Sequence, residues 1–81
     1  MTGAQRDGIN YERLFDKTCD LEVVGTYTDL IFAFKSCERN NQCNFILDKK
    51  CDGKSRFSLC QTVKESRMGS CVYMKRKLLS W

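Results

Sequence analysis

Thr28-Asp29-Leu30-Ile31-Phe32-Ala33-Phe34-Lys35-Ser36-Cys37-Glu38-Arg39-Asn40-Asn41-Gln42-Cys43-Asn44-Phe45-Ile46-Leu47 is the stretch on which the fold turns. Leu30, Ala33, Phe34 and Cys37 recur at helical spacing and form one apolar stripe, while Lys35, Glu38 and Arg39 fall off it. Thr28 offers an N-cap hydroxyl and Asp29 an acid for the first turn; Asn40 and Asn41 tolerate the left-handed conformation that closes a helix. The spacing predicts a helix from Thr28 to about Arg39, with its stripe lying against something apolar. Phe45 to Leu47, just beyond, is a short apolar run of strand length.

Before the helix, Cys19 to Val24 alternates Leu21 and Val23 with Asp20 and Glu22, the period of a half-buried strand, and Gly25 is expected to end it. The residues up to Lys17 lack a clear period, though Ile9, Tyr11, Leu14 and Phe15 suit a docked strand or short turn. After Leu47 come the turn signal Asp52-Gly53, a strand pattern from Phe57 to Val63, a turn at Met68-Gly69-Ser70 and a last strand from Cys71 to Met74. Strand, helix, then at least three strands joined by short turns describes an α+β domain: one helix packed on a small curled antiparallel sheet. The expected organisation is an N-terminal segment over residues 1–18, a domain over 19–77 and a tail over 78–81.

Eighty-one residues bury too little surface for an ample core, and this chain has six cysteines but no histidine and no proline. An even number of cysteines in so short a chain predicts disulfide staples and an oxidising, extracellular compartment. Cys19, Cys37, Cys43, Cys51, Cys60 and Cys71 allow 15 pairings, and spacing alone does not choose among them. A zinc site is not expected, since no two cysteines are separated by only two residues and no histidine completes a mixed site. A redox-active pair is not expected either, because the closely spaced dithiol motif at a helix start is missing. No metal and no cofactor are therefore expected.

Met1 leads into mostly polar residues as far as Asn10, so no signal peptide is read there, and the secreted reading takes the chain as an excised or mature segment. The longest apolar run, Leu30 to Phe34, falls far short of the roughly 20 residues a bilayer requires, so no membrane insertion is expected. The usual Asn-x-Ser/Thr acceptor for glycosylation is absent.

Charge is unevenly placed. Residues 1–40 hold five Lys or Arg against seven Asp or Glu, a balance of −2, whereas residues 41–81 hold nine against three, a balance of +6. The expected ligand-binding surface is drawn from this basic half: Lys49, Lys50, Lys54, Arg56, Tyr73, Lys75, Arg76 and Lys77. Such a surface attracts an anionic glycan or an acidic protein partner. Nucleic acid is not an expected partner, because the disulfides place the chain outside the cell. Catalysis is not expected either: without histidine the remaining bases are carboxylates and lysines, and the ten acidic residues are scattered without a pairing signature. Phe32, Leu78, Leu79 and Trp81 have no obvious core position; they either form a homodimer patch or, for the last residues, fold back over the sheet.

The helix running into Cys37, the second cysteine six positions later followed closely by Phe45, and the strand Cys71-Val72-Tyr73-Met74-Lys75 resemble the PAN/apple domain family. The resemblance covers roughly Cys19 to Lys77. It implies a Cys37–Cys43 bridge from the helix end to the central strand. Where many members carry a further cysteine one turn earlier in the helix, this chain has Ala33, so the other pairs must differ from the family's. Cys51 and Cys60 flank the Asp52-Gly53 turn and are expected to close that hairpin, leaving Cys19 for Cys71. The resemblance also implies a function, that of an extracellular recognition module binding protein or carbohydrate. Two alternatives fit the same size and disulfides: a free-standing secreted ligand such as a toxin or signalling factor, and a dimerising adhesion subunit.

Overall fold

A computed structural model of the protein describes residues 9–54 and 56–77. In chain order they form β1 (Ile9–Phe15), β2 (Lys17–Tyr27), α1 (Leu30–Arg39), β3 (Phe45–Asp48), β4 (Phe57–Glu65) and β5 (Cys71–Lys77). The strands make one five-stranded sheet in the order β1-β5-β3-β4-β2, antiparallel at every pairing. This is the α+β class that the element order anticipates. β1 pairs along its whole length with β5, from Ile9 opposite Lys77 to Phe15 opposite Cys71, so the sheet extends back across the boundary expected at Cys19.

Local chemistry accounts for the limits of α1. Its N-cap is Asp29 rather than the expected Thr28: Asp29 is extended, and its carboxylate accepts from the Ile31 amide at 2.8 Å. At the other end Asn40 is also extended, at φ −113°, not left-handed, and its amide donates to the Cys37 carbonyl at 3.2 Å. β2 likewise departs from expectation, since it passes through Gly25 instead of ending there. Gly25 has φ +127°, and a Cβ on it would stand 3.2 Å from the Tyr27 hydroxyl oxygen. The register with β4 slips between Val23 and Thr26, so this glycine makes a bulge inside the strand.

The curl of the sheet follows from the connections. β4 and β5 both run antiparallel to β3, hence parallel to each other, yet only residues 66–70 join them. Cys60 and Met74 both lie opposite Phe45, while Glu65 lies beyond that end and Cys71 faces Asp48 at the other. In a flat sheet the link would cover about 26 Å along the strands, more than its six Cα steps reach, roughly 20 Å. The β2–β4 ribbon must therefore bend, and three register shifts along β2 supply the bend. At the corner, Asp16 alone joins β1 to β2, at φ 60°, and so connects the two opposite edges of the sheet. Its amide donates to the Ser70 carbonyl and its carbonyl accepts from the Ser66 amide, each at 2.9 Å, and the Ser70 hydroxyl donates to the Lys17 carbonyl.

Two apolar clusters result. Between α1 and the sheet lie Ala33, Cys37, Cys43, Ile46, Phe57 and Leu59, ringed by Tyr11, Val23, Tyr27, Leu30, Phe34 and Tyr73. Leu47, Cys60 and Val72 form the second, with Leu14, Cys19, Phe45 and Val63 packed against them. Ile46 faces the first cluster and Leu47 the second, so β3 is buried on both sides, which explains why it reads as an unbroken apolar run.

Three disulfides join the described cysteines, and none of the six is free. Cys37–Cys43 is one of them, with Cα atoms 5.1 Å apart. The other two differ from the expected pairs: Cys51 bonds Cys71 and Cys19 bonds Cys60. Register explains the correction. Asp48 sits directly opposite Cys71, and the Cys51 amide folds back onto the Asp48 carbonyl at 3.1 Å, which brings Cys51 beside Cys71. Cys60 lies three residues, about 10 Å, further along β4 from the turn. Its side chain belongs to the second cluster, where the bent β2 delivers Cys19.

Candidate functional site

Of the eight expected binding residues, the structure gathers Lys49, Lys50 and Arg56 around one cleft of about 360 Å³. The remainder of its lining is Glu22 and Thr26 from β2 and Ser58 from β4. Phe57 and Leu59 face α1, so the alternation of β4 turns Ser58 to the opposite face, and the cleft opens there, away from the helix. Glu22, Thr26 and Ser58 were not among the expected residues. Their signal in the sequence is alternation alone: each is polar and adjacent to a residue that enters the core, Val23, Tyr27 and Phe57 respectively.

The turn that carries the cations is braced. The carboxylate of Asp48, itself buried, accepts from the Gly53 amide at 2.8 Å, and Gly53 holds φ +74°, which glycine adopts without penalty. Asp52 accepts from the Lys54 amide at 2.9 Å, and Cys51–Cys71 ties the turn to β5. Lys54 is on this turn but does not line the cleft. Among the described residues, no ion pair involves Lys49, Lys50 or Arg56, although Glu22 shares their cleft. Three cations against one carboxylate leave a local charge of +2.

The remaining expected site residues are elsewhere and otherwise engaged. Tyr73 is half-buried and meets Phe34 edge-on at 5.5 Å, while Phe34 stacks on Tyr11 at 4.4 Å, so Tyr73 is a core aromatic. The Lys75 ammonium donates to the carbonyls of Cys37, Asn40 and Cys43, at the C-terminal end of α1 and the loop after it. Arg76 pairs with Glu12 at 2.9 Å beside a second cleft, lined by Asn10, Tyr11, Glu12 and Arg76, where the charges cancel. Lys77 closes β5, and its side chain lies outside the described structure. Other cations are likewise matched, Lys17 by Glu65 at 3.5 Å and Lys64 by Asp20 at 4.0 Å. Of the dimer patch, Phe32 is exposed at 60%, next to the equally open Ile31, whereas Leu78, Leu79 and Trp81 lie outside the described residues.

Tyr11 shows how burial tunes a single group. Its hydroxyl donates to the Phe34 carbonyl at 3.2 Å, and burial, aided by the Glu38 charge, pushes its pKa from 10.0 up to about 12. The folded protein thus holds this proton more tightly than the unfolded chain does. The contribution is complete below pH 10 and lost as pH rises through 12. Urea midpoints should fall between pH 10 and 12, and Tyr11→Phe should show a smaller fall; an identical fall in the variant would assign the alkaline loss to other groups.

Among the described residues no cluster of three His, Cys, Asp or Glu is placed to hold a metal, and no helix is long and apolar enough to cross a membrane. No family model, no curated protein and no solved structure matches this chain. The three disulfides are compatible with an extracellular protein.

Proposed function

We propose that this chain is a non-catalytic extracellular recognition module that binds an anionic glycan through the cationic β3–β4 turn. One observation carries the reading: Lys49, Lys50 and Arg56 surround a cleft with no carboxylate partner within ion-pair distance among the described residues, on a turn braced by a buried Asp48 and by Cys51–Cys71. A site held in advance binds without a further cost of ordering its backbone. Lys17, Lys64 and Arg76, elsewhere in the described sheet, are matched by acids, whereas Lys49, Lys50 and Arg56 converge on one cleft. The PAN/apple resemblance points the same way, toward recognition of protein or carbohydrate.

Heparin affinity chromatography tests this. The protein should be retained at low salt and elute as salt rises, because charges at an exposed site are screened. The Lys49→Ala/Lys50→Ala/Arg56→Ala variant should bind heparin at least about tenfold more weakly, the loss expected when several charge-assisted contacts go. Arg76→Ala, which breaks the Glu12 pair, should elute with the wild type. Void-volume elution of the wild type, or unchanged retention of the triple variant, would overturn the reading.

A further inference from the structure

Among the described residues the one carboxylate that lines the cleft is Glu22, and its placement says more about the ligand than the cations do. It shares the lining with Lys49, Lys50 and Arg56 yet forms no ion pair with any of them. Nor does its carboxylate serve the fold among the described residues: Glu22 is exposed on β2, in register with Cys60, and its side chain makes no described hydrogen bond or ion pair. A cleft shaped only for negative charge gains nothing from an acid, which repels the ligand.

An ionised carboxylate accepts hydrogen bonds and donates none. It is satisfied by a ligand that carries hydroxyl donors next to its negative charge and is left unsatisfied by one that presents only acceptor oxygens. Thr26 and Ser58, in the same lining, add hydroxyls that both donate and accept. Three cations, one acceptor-only acid and two hydroxyls match a sulfated sugar unit, whose sulfate takes the cations while its ring hydroxyls meet Glu22. They do not match a polyphosphate or nucleic acid backbone, in which the oxygens near each charge accept.

We infer that Glu22 is a specificity-determining residue of the cleft, selecting sulfated saccharides over polyanions that lack hydroxyl donors. This rests on the cleft being the anion site proposed above. Two probes of similar charge separate the possibilities: a heparin-derived hexasaccharide and inorganic polyphosphate, titrated calorimetrically at one fixed ionic strength. The wild type should prefer the saccharide by about tenfold, the discrimination expected of one charge-assisted hydrogen bond. Glu22→Gln removes the charge and keeps the shape. It should bind polyphosphate several-fold more tightly while saccharide affinity stays level or falls, closing most of the gap.

Equal gains for both probes would show Glu22 acting as bulk charge alone and would overturn the inference, as would an unaltered ratio or a wild type without preference. The failure of the parent proposal looks different: saccharide binding would then be insensitive to the Lys49→Ala/Lys50→Ala/Arg56→Ala change, whatever Glu22→Gln does.

Discussion

Replacing Cys19 and Cys60 together by alanine is expected to destabilise the protein by about 4 kcal/mol, the largest effect of any paired substitution here. The closed loop spans 41 residues, against 20 for Cys51–Cys71 and 6 for Cys37–Cys43. Loop-closure entropy scales with the logarithm of those lengths and gives roughly 4, 3 and 2 kcal/mol in that order. A domain of this size has on the order of 4–12 kcal/mol of stability in all, so the first loss alone threatens the fold. Position adds to length, for Cys60 is wholly buried beside Leu47 and Val72, and Cys19 holds the bent end of the β2–β4 ribbon over them. Urea unfolding of the three double-alanine variants should rank them 19–60, 51–71, 37–43 in decreasing cost. A ranking with Cys37–Cys43 first would show that local packing at the helix end, not the chain entropy of the unfolded state, governs the staples. Complete reduction of the wild type should leave it unfolded.

Local elements were legible in the sequence; their closure was not. Leu30, Ala33, Phe34 and Cys37 report the helix because one face of α1 meets a continuous cluster. Phe45 to Leu47 reports β3 because that strand is buried on both sides. The Cys19 and Cys51 pairings depend on two features without local signature: the register that sets Asp48 opposite Cys71, and the bend that carries Glu65 back toward Asp16. Treating Phe57 to Val63 as half of a simple hairpin put Cys60 near the turn, whereas it stands at the far end of β3 on the face away from α1. The site was legible to the same degree. Lys49, Lys50 and Arg56 are grouped by a turn close in sequence, while Glu22 joins them only through the pairing of β2 with β4. Charge counting could not separate these cations from Lys75, because a basic residue reads alike whether its partner is solvent or a carbonyl.

Lys75→Met is expected to cost about 2–3 kcal/mol, far more than the loss of an exposed cation. An α-helix leaves its last carbonyls without intrahelical donors, and its dipole concentrates negative charge there. In this protein the Lys75 ammonium reaches from β5 to the carbonyls of Cys37, Asn40 and Cys43, the Asn40 and Cys43 contacts being 3.2 and 3.1 Å. The same residue's backbone amide donates to the Asn44 carbonyl at 2.8 Å, so one lysine joins β5 to both ends of the loop closed by Cys37–Cys43. Hydrogen bonds to a charged group contribute roughly 1.5–3 kcal/mol. The Cys37 and Asn40 carbonyls keep the Asn40 and Cys43 amides as donors, so the cost is that of the charged contacts and of the Cys43 carbonyl, which has no other described donor. Arg76→Ala is the matched control one position along the strand: it breaks an exposed pair with Glu12, for which at most about 1 kcal/mol is expected. In thermal unfolding Lys75→Met should fall about 10–20 °C below the wild type and Arg76→Ala only a few degrees. Heparin retention, measured well below the lowered transition, should be unchanged in Lys75→Met, since its ammonium lies against α1 and the cleft opens on the opposite face. Similar losses of stability for the two variants would refute the capping role, and lost retention in folded Lys75→Met would return Lys75 to the binding surface.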